Sequence, residues 1–588
     1  MEFTTASERS KRRKTAEMRT TYSTEELSYA TQMKLRSSGK LDAANIVKEV
    51  TTSSPTRASK YKAAFQATSN VAIPMSDDAA LSVVVEAKLT KNQYSLIRQS
   101  MKEHHCNLYP PYDKVSQAKV RCYPPRSDVT ITETSAEVKL QALLNHTAER
   151  ILLVQNDVIK SLLQETVKHM NLICKWGCDG SSGQSEYKQK FANENSSDEH
   201  VFLTSLVPLQ LLFVDCKSDS KIVIWKNPRP SSPRFCRPIR LQFLHEDVQS
   251  IVNEMHHIEE QIKSLDPFNT VVDGKEISIT YDMIFTMIDG KVCNAVTSTK
   301  STLRCYLCGI TSKNINNLDL VKKQKIDKSN LRFGLSTLHA WIRLFECLLH
   351  LSYKLGIKKW QARSTEEKQI TQDRKKIIQK GFKQQLGLII DRPKPGYGST
   401  NDGNTARRFF KNTSVSASIT GVEETLIKRF HVILQTMSSG HDVNVKKFEQ
   451  YALETAKLFV NTYPWYPMPI TVHKILIHGP QIIESALLPI GQLSEDAQEA
   501  RNKDIKKYRE SFSRKCSRTK TMEDVFNWLT VSSDPYISSL RKLPQKKLNS
   551  FLPEAVELLV APITSPNVER NYSDSEDDSE DESISEIL

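Results

Sequence analysis

Between Asn171 and Gly290 the chain reads as strands around one amphipathic helix, and on both sides of that block it reads as helices. The runs "NLICKWGCDG", "VFLTSLVPLQLLFVD", "KIVIWKN", "CRPIRLQFL" and "ISITYDMIFTMIDGK" are apolar or β-branched and are bounded by turn residues. "EDVQSIVNEMHHIEEQIKSL" interrupts them as a helix whose acidic start suits its positive N-terminal end. A strand block set between helical stretches in a chain of 588 residues predicts a multidomain α+β protein.

Two of the apolar runs end on the same residue pair, at Asp179-Gly180 and at Asp289-Gly290. Turn chemistry alone accounts for one Asp-Gly. Two of them, each closing an apolar strand, also present two carboxylates at strand ends. With a glutamate from a later helix, this is the ligand set of a two-metal nuclease or transposase. Mg²⁺ takes oxygen ligands, and paired ions act on the attacking and the leaving oxygen. Ribonuclease-H-like folds draw such a set from two neighbouring strands and a helix. The polar segment "SEDAQEARNKDIKKYRESFSRK", with Ser494 as candidate N-cap, offers Glu495, Asp496 and Glu499. Periodicity does not choose among the three.

A second constellation is Cys305-x-x-Cys308 in "RCYLC" and His473-x₄-His478 in "VHKILIH". Each half suits a tetrahedral Cys₂His₂ zinc site. Their separation far exceeds that of a local zinc finger, so spacing alone favours a buried Cys pair and an unrelated His pair over a shared site.

Charge narrows the partners. The tail from Ser573, "SDSEDDSEDESISEIL", holds eight acidic residues and no basic one, and removing it from a chain of net charge +14 leaves +22 on the body. A basic body suits a polyanion, of which nucleic acid is the commonest. The tail's composition predicts disorder. Eleven cysteines without secretory features point to a reducing compartment. No run of 18 apolar residues predicts a membrane span. Arg9, Lys11, Arg12, Arg13 and Lys14 form a basic cluster of nuclear-import type, which makes the nucleus the expected location.

Short helices are expected from Ser23 to about Thr68, a helix over residues 89–105 with Tyr94, Ile97 and Met101 on one face, and a long helical stretch from Ser135 to Met170. From Asn314 to Pro489 the pattern is again mainly helical, and beyond Ser532 it loses periodicity.

The order Asp179, Asp289, Cys305-x-x-Cys308, His473-x₄-His478, then "PIGQLSEDAQEARNK" resembles that of the Transib-family DNA transposases and, more distantly, the catalytic subunit of the V(D)J recombinase. The resemblance runs from about residue 80 to about 540. It implies that Asp179 in "WGCDG" and Asp289 in "MIDGKV" are the first two catalytic carboxylates, and that Glu499 is the third. No carboxylate flanks His339 in "STLHAWIRLFE", so the second aspartate is placed at Asp289, sixteen residues before Cys305. The resemblance also makes one shared structural Zn²⁺ site of Cys305, Cys308, His473 and His478 the favoured reading. "GNTARRFF" is similar to a stretch near the active site of relatives, which makes Asn404 and Arg407 DNA-contact candidates. Lys503 and Lys506 follow Glu499 by i+4 and i+7, on its face of the helix, and are further candidates for phosphate contacts.

The domain organisation expected on these grounds is a basic disordered tail (1–20), a helical terminal-repeat-binding module (21–75) and dimerisation, DNA-binding and pre-catalytic helices (76–170). These lead into a ribonuclease-H-like mixed-sheet core (171–300), split by a mainly helical zinc-binding insertion (301–489) and completed by a catalytic helix (490–531). A C-terminal tail (532–588) follows. The function the resemblance implies is cut-and-paste transposition by a nuclear homodimer. Such an enzyme binds terminal inverted repeats, nicks DNA, forms hairpins on the flanks and joins 3′-hydroxyl ends to target DNA. Two Mg²⁺ or Mn²⁺ per active site are implied. The alternatives are a host-domesticated recombinase and a domesticated DNA-binding protein without catalysis.

Overall fold

The computed structural model describes residues 3, 5–52, 58–62, 73–162, 169–182, 190–193, 196–214, 221–393, 399–542 and 551–560. The acidic tail from Ser573 lies outside them. The chain divides into two compact units, one of residues 1–76 with 95–111 and one of residues 77–94 with 112–588. It is a multidomain α+β protein with a mixed sheet and many helices. No helix among the described residues is long and apolar enough to cross a membrane.

The first unit is helical. Ser23 and Glu26 form a reciprocal capping box that starts the helix Thr24–Ser37, which packs on Leu41–Thr52. The first twenty residues, expected as a disordered tail, carry the short helices Glu8–Lys14 and Ala16–Thr21. The Ser7 side chain caps the first of them, and its cations fall in the last turn, where the helix end is negative. This unit also takes in residues 95–111, which the sequence grouped with the helices that follow.

The second unit is built on an eight-stranded sheet of order β1-β2-β6-β4-β3-β8-β7, with β5 on the free length of β4. The strands are β1 (Val129–Ile131), β2 (Ser135–Val138), β3 (His169–Ser181), β4 (Val201–Val214), β5 (Lys221–Lys226), β6 (Arg237–Gln242), β7 (Phe268–Val272) and β8 (Lys275–Phe285). Only β3 and β8 run parallel. The helices that matter below are α1 (Leu140–Val154), α2 (Val248–Lys263), α3 (Gly290–Val296), α4 (Thr337–Tyr353), α5 (Gly403–Lys411), α6 (Asp496–Ser511) and α7 (Arg518–Ser532).

Three expectations are corrected here. Ser135–Val138, read as the opening of a long helix, is strand β2 paired to β1 and β6, and the helix that follows ends at Val154. Four residues are too few to show a period of two. The strand β3 does not stop at Asp179; it runs on to Ser181 against β4, with Asp179 opposite Leu203. What ends before Asp179 is the ladder to β8, whose last pair is Trp176–Phe285. Asp179 therefore lies on a strand that has lost its neighbour on one side. Beyond Ser532 the chain still forms the helices Pro535–Leu540 and Pro553–Glu557.

Residues 301–489 carry no strand among the described residues, yet they do not form a separate compact unit. One apolar core runs from β3 and β8 through Cys305, Leu307 and Phe333 into α4 and the helix Glu424–Ser438. That continuous buried surface packs residues 301–489 against the sheet.

Candidate functional site

The carboxylates are brought together by backbone that crosses at close range. After β8, the N–H groups of Thr286 and Met287 both donate to the Trp176 carbonyl, at 3.2 and 3.1 Å. A Cβ on Gly177 would lie 1.8 Å from the Met287 carbonyl oxygen, so only glycine lets this strand pass. The crossing delivers Asp289 beside Asp179. Asp289 is the N-cap of α3, accepting from the Val292 N–H at 2.8 Å. From the other face α6 supplies Glu499 and Asn502, and the Asn502 amide donates to Asp179 Oδ2 at 2.8 Å.

The result is a cavity of about 20 Å³ lined by Cys178, Asp179, Met287, Asp289, His339, Glu495, Gln498 and Glu499. Asp179, Asp289 and Glu499 thus line one small space, large enough for a water or an ion. Burial, and then the charges of Asp289, Glu246 and Glu499, push the Asp179 carboxyl up to about 8. The side chain of Glu499, an exposed residue of α6, takes no hydrogen bond or ion pair from any described residue. Partial desolvation raises its pKa, His339 opposes the rise, and Glu495 and Asp496 add to it.

The other two acids of the segment are otherwise engaged. Glu495 is buried and meets His339 Nδ1 at 2.7 Å and the Ser336 hydroxyl. Burial works against ionisation of that pair, yet the hydrogen bond to Glu495 and the charges of Glu495, Glu499 and Asp289 lift His339 to about 9, while His339 and the Ser336 hydroxyl hold Glu495 low. Asp496 accepts from the Ser494 hydroxyl at 2.7 Å; burial and Glu495 raise it to about 6.

Glu246, which sequence reading missed, is a further carboxylate beside this site. It precedes α2, its charge raises Asp179, and Lys291 donates to its Oε2 at 2.9 Å. Its Oε1 is buried without a partner among the described residues. A Cβ on Gly180 would fall 2.5 Å from the Glu246 Cβ, so glycine there admits the glutamate. In sequence it looks like one more acid in a helix-opening cluster.

Beside the cavity opens a cleft of about 1000 Å³ that shares Asp289 and His339. Lys291, Lys300, Arg343 and Lys474 line it, together with Trp360 and Tyr466. Of the remaining candidates, Lys503 is exposed and Lys506 half-buried on α6, and Lys503 lowers the Glu499 pKa. Asn404 is half-buried on α5; Arg407 lies 5.8 Å over the Trp341 ring and acts electrostatically on Asp496. Several cations near α6 are structural instead. Arg501 binds the Cys236 carbonyl, and Arg509 and Arg518 both pair with buried Asp198.

The Cys and His pairs do meet. One ligand atom from each of Cys305, Cys308, His473 and His478 lies within 4.8 Å of the other three, and all four residues are buried. Cys308 Sγ is 3.4 Å from His473 Nε2. Five residues along an α-helix would turn the histidines roughly 140° apart. A π-helical turn over Lys474–His478 puts them on one side, rings 4.8 Å apart. His473 Nδ1 and both His478 nitrogens are buried without hydrogen-bond partners among the described residues. The hydrogen bond with Cys308 pulls the Cys305 thiol far down, with both imidazoles helping, and pushes Cys308 up. This buried cluster can hold a metal ion.

Compared with known proteins, the chain matches no family model and no curated sequence.

Proposed function

We propose that the protein is a metal-dependent enzyme that cuts and joins DNA strands. The observation that carries this reading is the meeting of Asp179, Asp289 and Glu499, from β3, the start of α3 and α6, at one small cavity beside a cation-lined cleft. An all-oxygen donor set suits a hard divalent cation, Mg²⁺ or Mn²⁺. The crowding that holds Asp179 protonated to about 8 is the condition such an ion relieves. Asp179, Asp289 and Glu499 would hold it, with Glu246 beside them. A bound ion supplies Lewis-acid activation of water or hydroxyl and of the phosphate. Asn502 orients Asp179, and Lys291, Lys300 and Lys474 offer charge to DNA phosphates.

The particular reading is a Transib-like transposase with a ribonuclease-H-like core. The central strand bearing Asp179, its parallel partner β8 and the helix bearing Glu499 support that fold. The Cys₂His₂ set is the composition of a structural Zn²⁺ site, and it fastens residues 305–308 to 473–478 ahead of α6. Homodimerisation and the nuclear location belong to the same proposal. A non-catalytic DNA-binding protein has no use for carboxylates converging at this cost, which favours the enzyme.

The test is nicking of supercoiled plasmid DNA by the full-length protein with Mn²⁺, compared with Asp179→Asn, Asp289→Asn and Glu499→Gln. Each substitution should abolish nicking and leave DNA retention within about threefold, because binding rests on the basic surfaces. Full nicking by Asp289→Asn would remove that residue from the site, and full nicking by all three would end the proposal.

A further inference from the structure

Beneath the carboxylates, on the same face of β3 as Asp179, sits Lys175 with 0% of its surface exposed. Its ammonium donates to the Ser494 carbonyl at 2.6 Å. No carboxylate among the described residues comes within ion-pair distance of it. Taking an ammonium out of water costs several kcal/mol unless it is paired, and here one backbone bond stands in place of a pair.

That bond holds a particular point of the chain. Ser494 closes a small ring with Asp496, donating to Oδ2 at 2.7 Å and accepting from the Asp496 N–H at 3.2 Å. Asp496 opens α6, and Glu499 stands one turn on. The Gln498 side chain donates to the Leu203 carbonyl at 2.7 Å and accepts from the Ser205 hydroxyl at 2.8 Å, so the same turn is also pinned to β4. Lys175 ties the start of this turn to β3, the strand that carries Asp179, and one turn further along α6 the Asn502–Asp179 bond reaches the same strand.

The geometry points to Lys175 as a positioning residue: by gripping the Ser494 carbonyl, it fixes the first turn of α6 on β3 and sets where Glu499 stands relative to Asp179. Its consequence for ion binding rests on the proposed divalent-cation site, whereas the clamp does not. The sign of one measurement separates the clamp from simple charge balance. Losing a cation near carboxylates tightens binding of another cation; losing the clamp weakens it.

The experiment uses full-length protein and Lys175→Met, with Mn²⁺ binding followed by electron paramagnetic resonance and amide exchange followed by mass spectrometry. Mn²⁺ affinity should fall about tenfold or more, as for other groups that orient metal ligands. Amides of Gln498–Arg501 should exchange about tenfold faster, with those of Ile277–Tyr281 unchanged. Tighter Mn²⁺ binding, or faster exchange spread evenly over the fold, overturns the proposal. If Lys175→Met does not fold, Lys175→Arg keeps the charge on a longer side chain; weaker Mn²⁺ binding supports the clamp, and unchanged binding overturns it. If the unaltered protein binds no Mn²⁺ while the exchange effect is present, the cation site fails and the clamp stands.

Discussion

Asn502 reaches across 323 residues of sequence to donate its amide to Asp179 Oδ2 at 2.8 Å. It stands one helical turn after Glu499, so a single face of α6 brings both a carboxylate and a donor to the strand. The bond favours the ionised form of Asp179, against burial and acidic neighbours that favour the protonated one.

The pH dependence of cation binding follows. Asp179 holds its proton to about 8, and a cation binds the ionised form, so between pH 6 and 8 binding expels a proton. Apparent Mn²⁺ affinity should climb about tenfold per pH unit in that window and flatten above it. A hydrogen bond to a charged group contributes about 1.5–3 kcal/mol, and 1.4 kcal/mol is one pKa unit. Asn502→Ala should therefore move the flattening point up by about one unit and weaken binding at pH 7 about tenfold. Mn²⁺ titrations from pH 6 to 9 test both, and an unmoved profile would show that the bond does not act on Asp179.

The Cys/His cluster leads to a separate expectation. A closed Cys₂His₂ site holds one structural ion, so purified protein should retain about one zinc per chain by elemental analysis. Cys308→Ser should lower the zinc content and the melting temperature together. Stoichiometric zinc in a Cys305→Ser/His478→Ala double variant would place the ion elsewhere.

Gly177→Ala should act on the site from below. Its Cβ would sit 1.8 Å from the Met287 carbonyl oxygen, and backbone cannot swing aside as a side-chain tip can. The segment that carries Asp289 has to lift, with a loss of about 3 kcal/mol of stability by urea denaturation. Mn²⁺ affinity should fall with it. Gly290→Ala is the control, since nothing lies within 4 Å of a Cβ there.

Much of this arrangement was legible in the chain, and what was not has physical reasons. The long strands announce themselves because β3 and β4 are buried along most of their length, which requires apolar runs. The same burial hides Lys175, which looks in sequence like an outward residue of an alternating strand. Asp179 and Asp289 stand out because apolar runs end on them, although only Asp289 leaves its strand. Glu246 carries no such mark, since its role comes from the close approach that Gly180 permits. His339 lines the cavity and meets Glu495 there, 156 residues away in sequence. Sequence distance of that size is invisible to periodicity.

The lysines of α6 lead to the last prediction. Lys503 and Lys506 follow Glu499 on one side of the helix, while Arg501, Arg509 and Arg518 are spent on buried partners. On that side Lys503 is exposed beside Glu499 and Lys506 is half-buried one turn further, each with protein contacts of its own that a phosphate would compete with. Contacts to phosphate carry no sequence information, and each adds close to one unit of slope in log K against log salt. Lys503→Ala/Lys506→Ala should reduce that slope by about two units and slow nicking, without changing which DNA sequence is preferred. The slope is read from fluorescence-anisotropy binding between low and moderate salt, with a scrambled duplex alongside. An unchanged slope would leave both lysines to solvent and to their protein contacts, and a changed sequence preference would mean that they read bases.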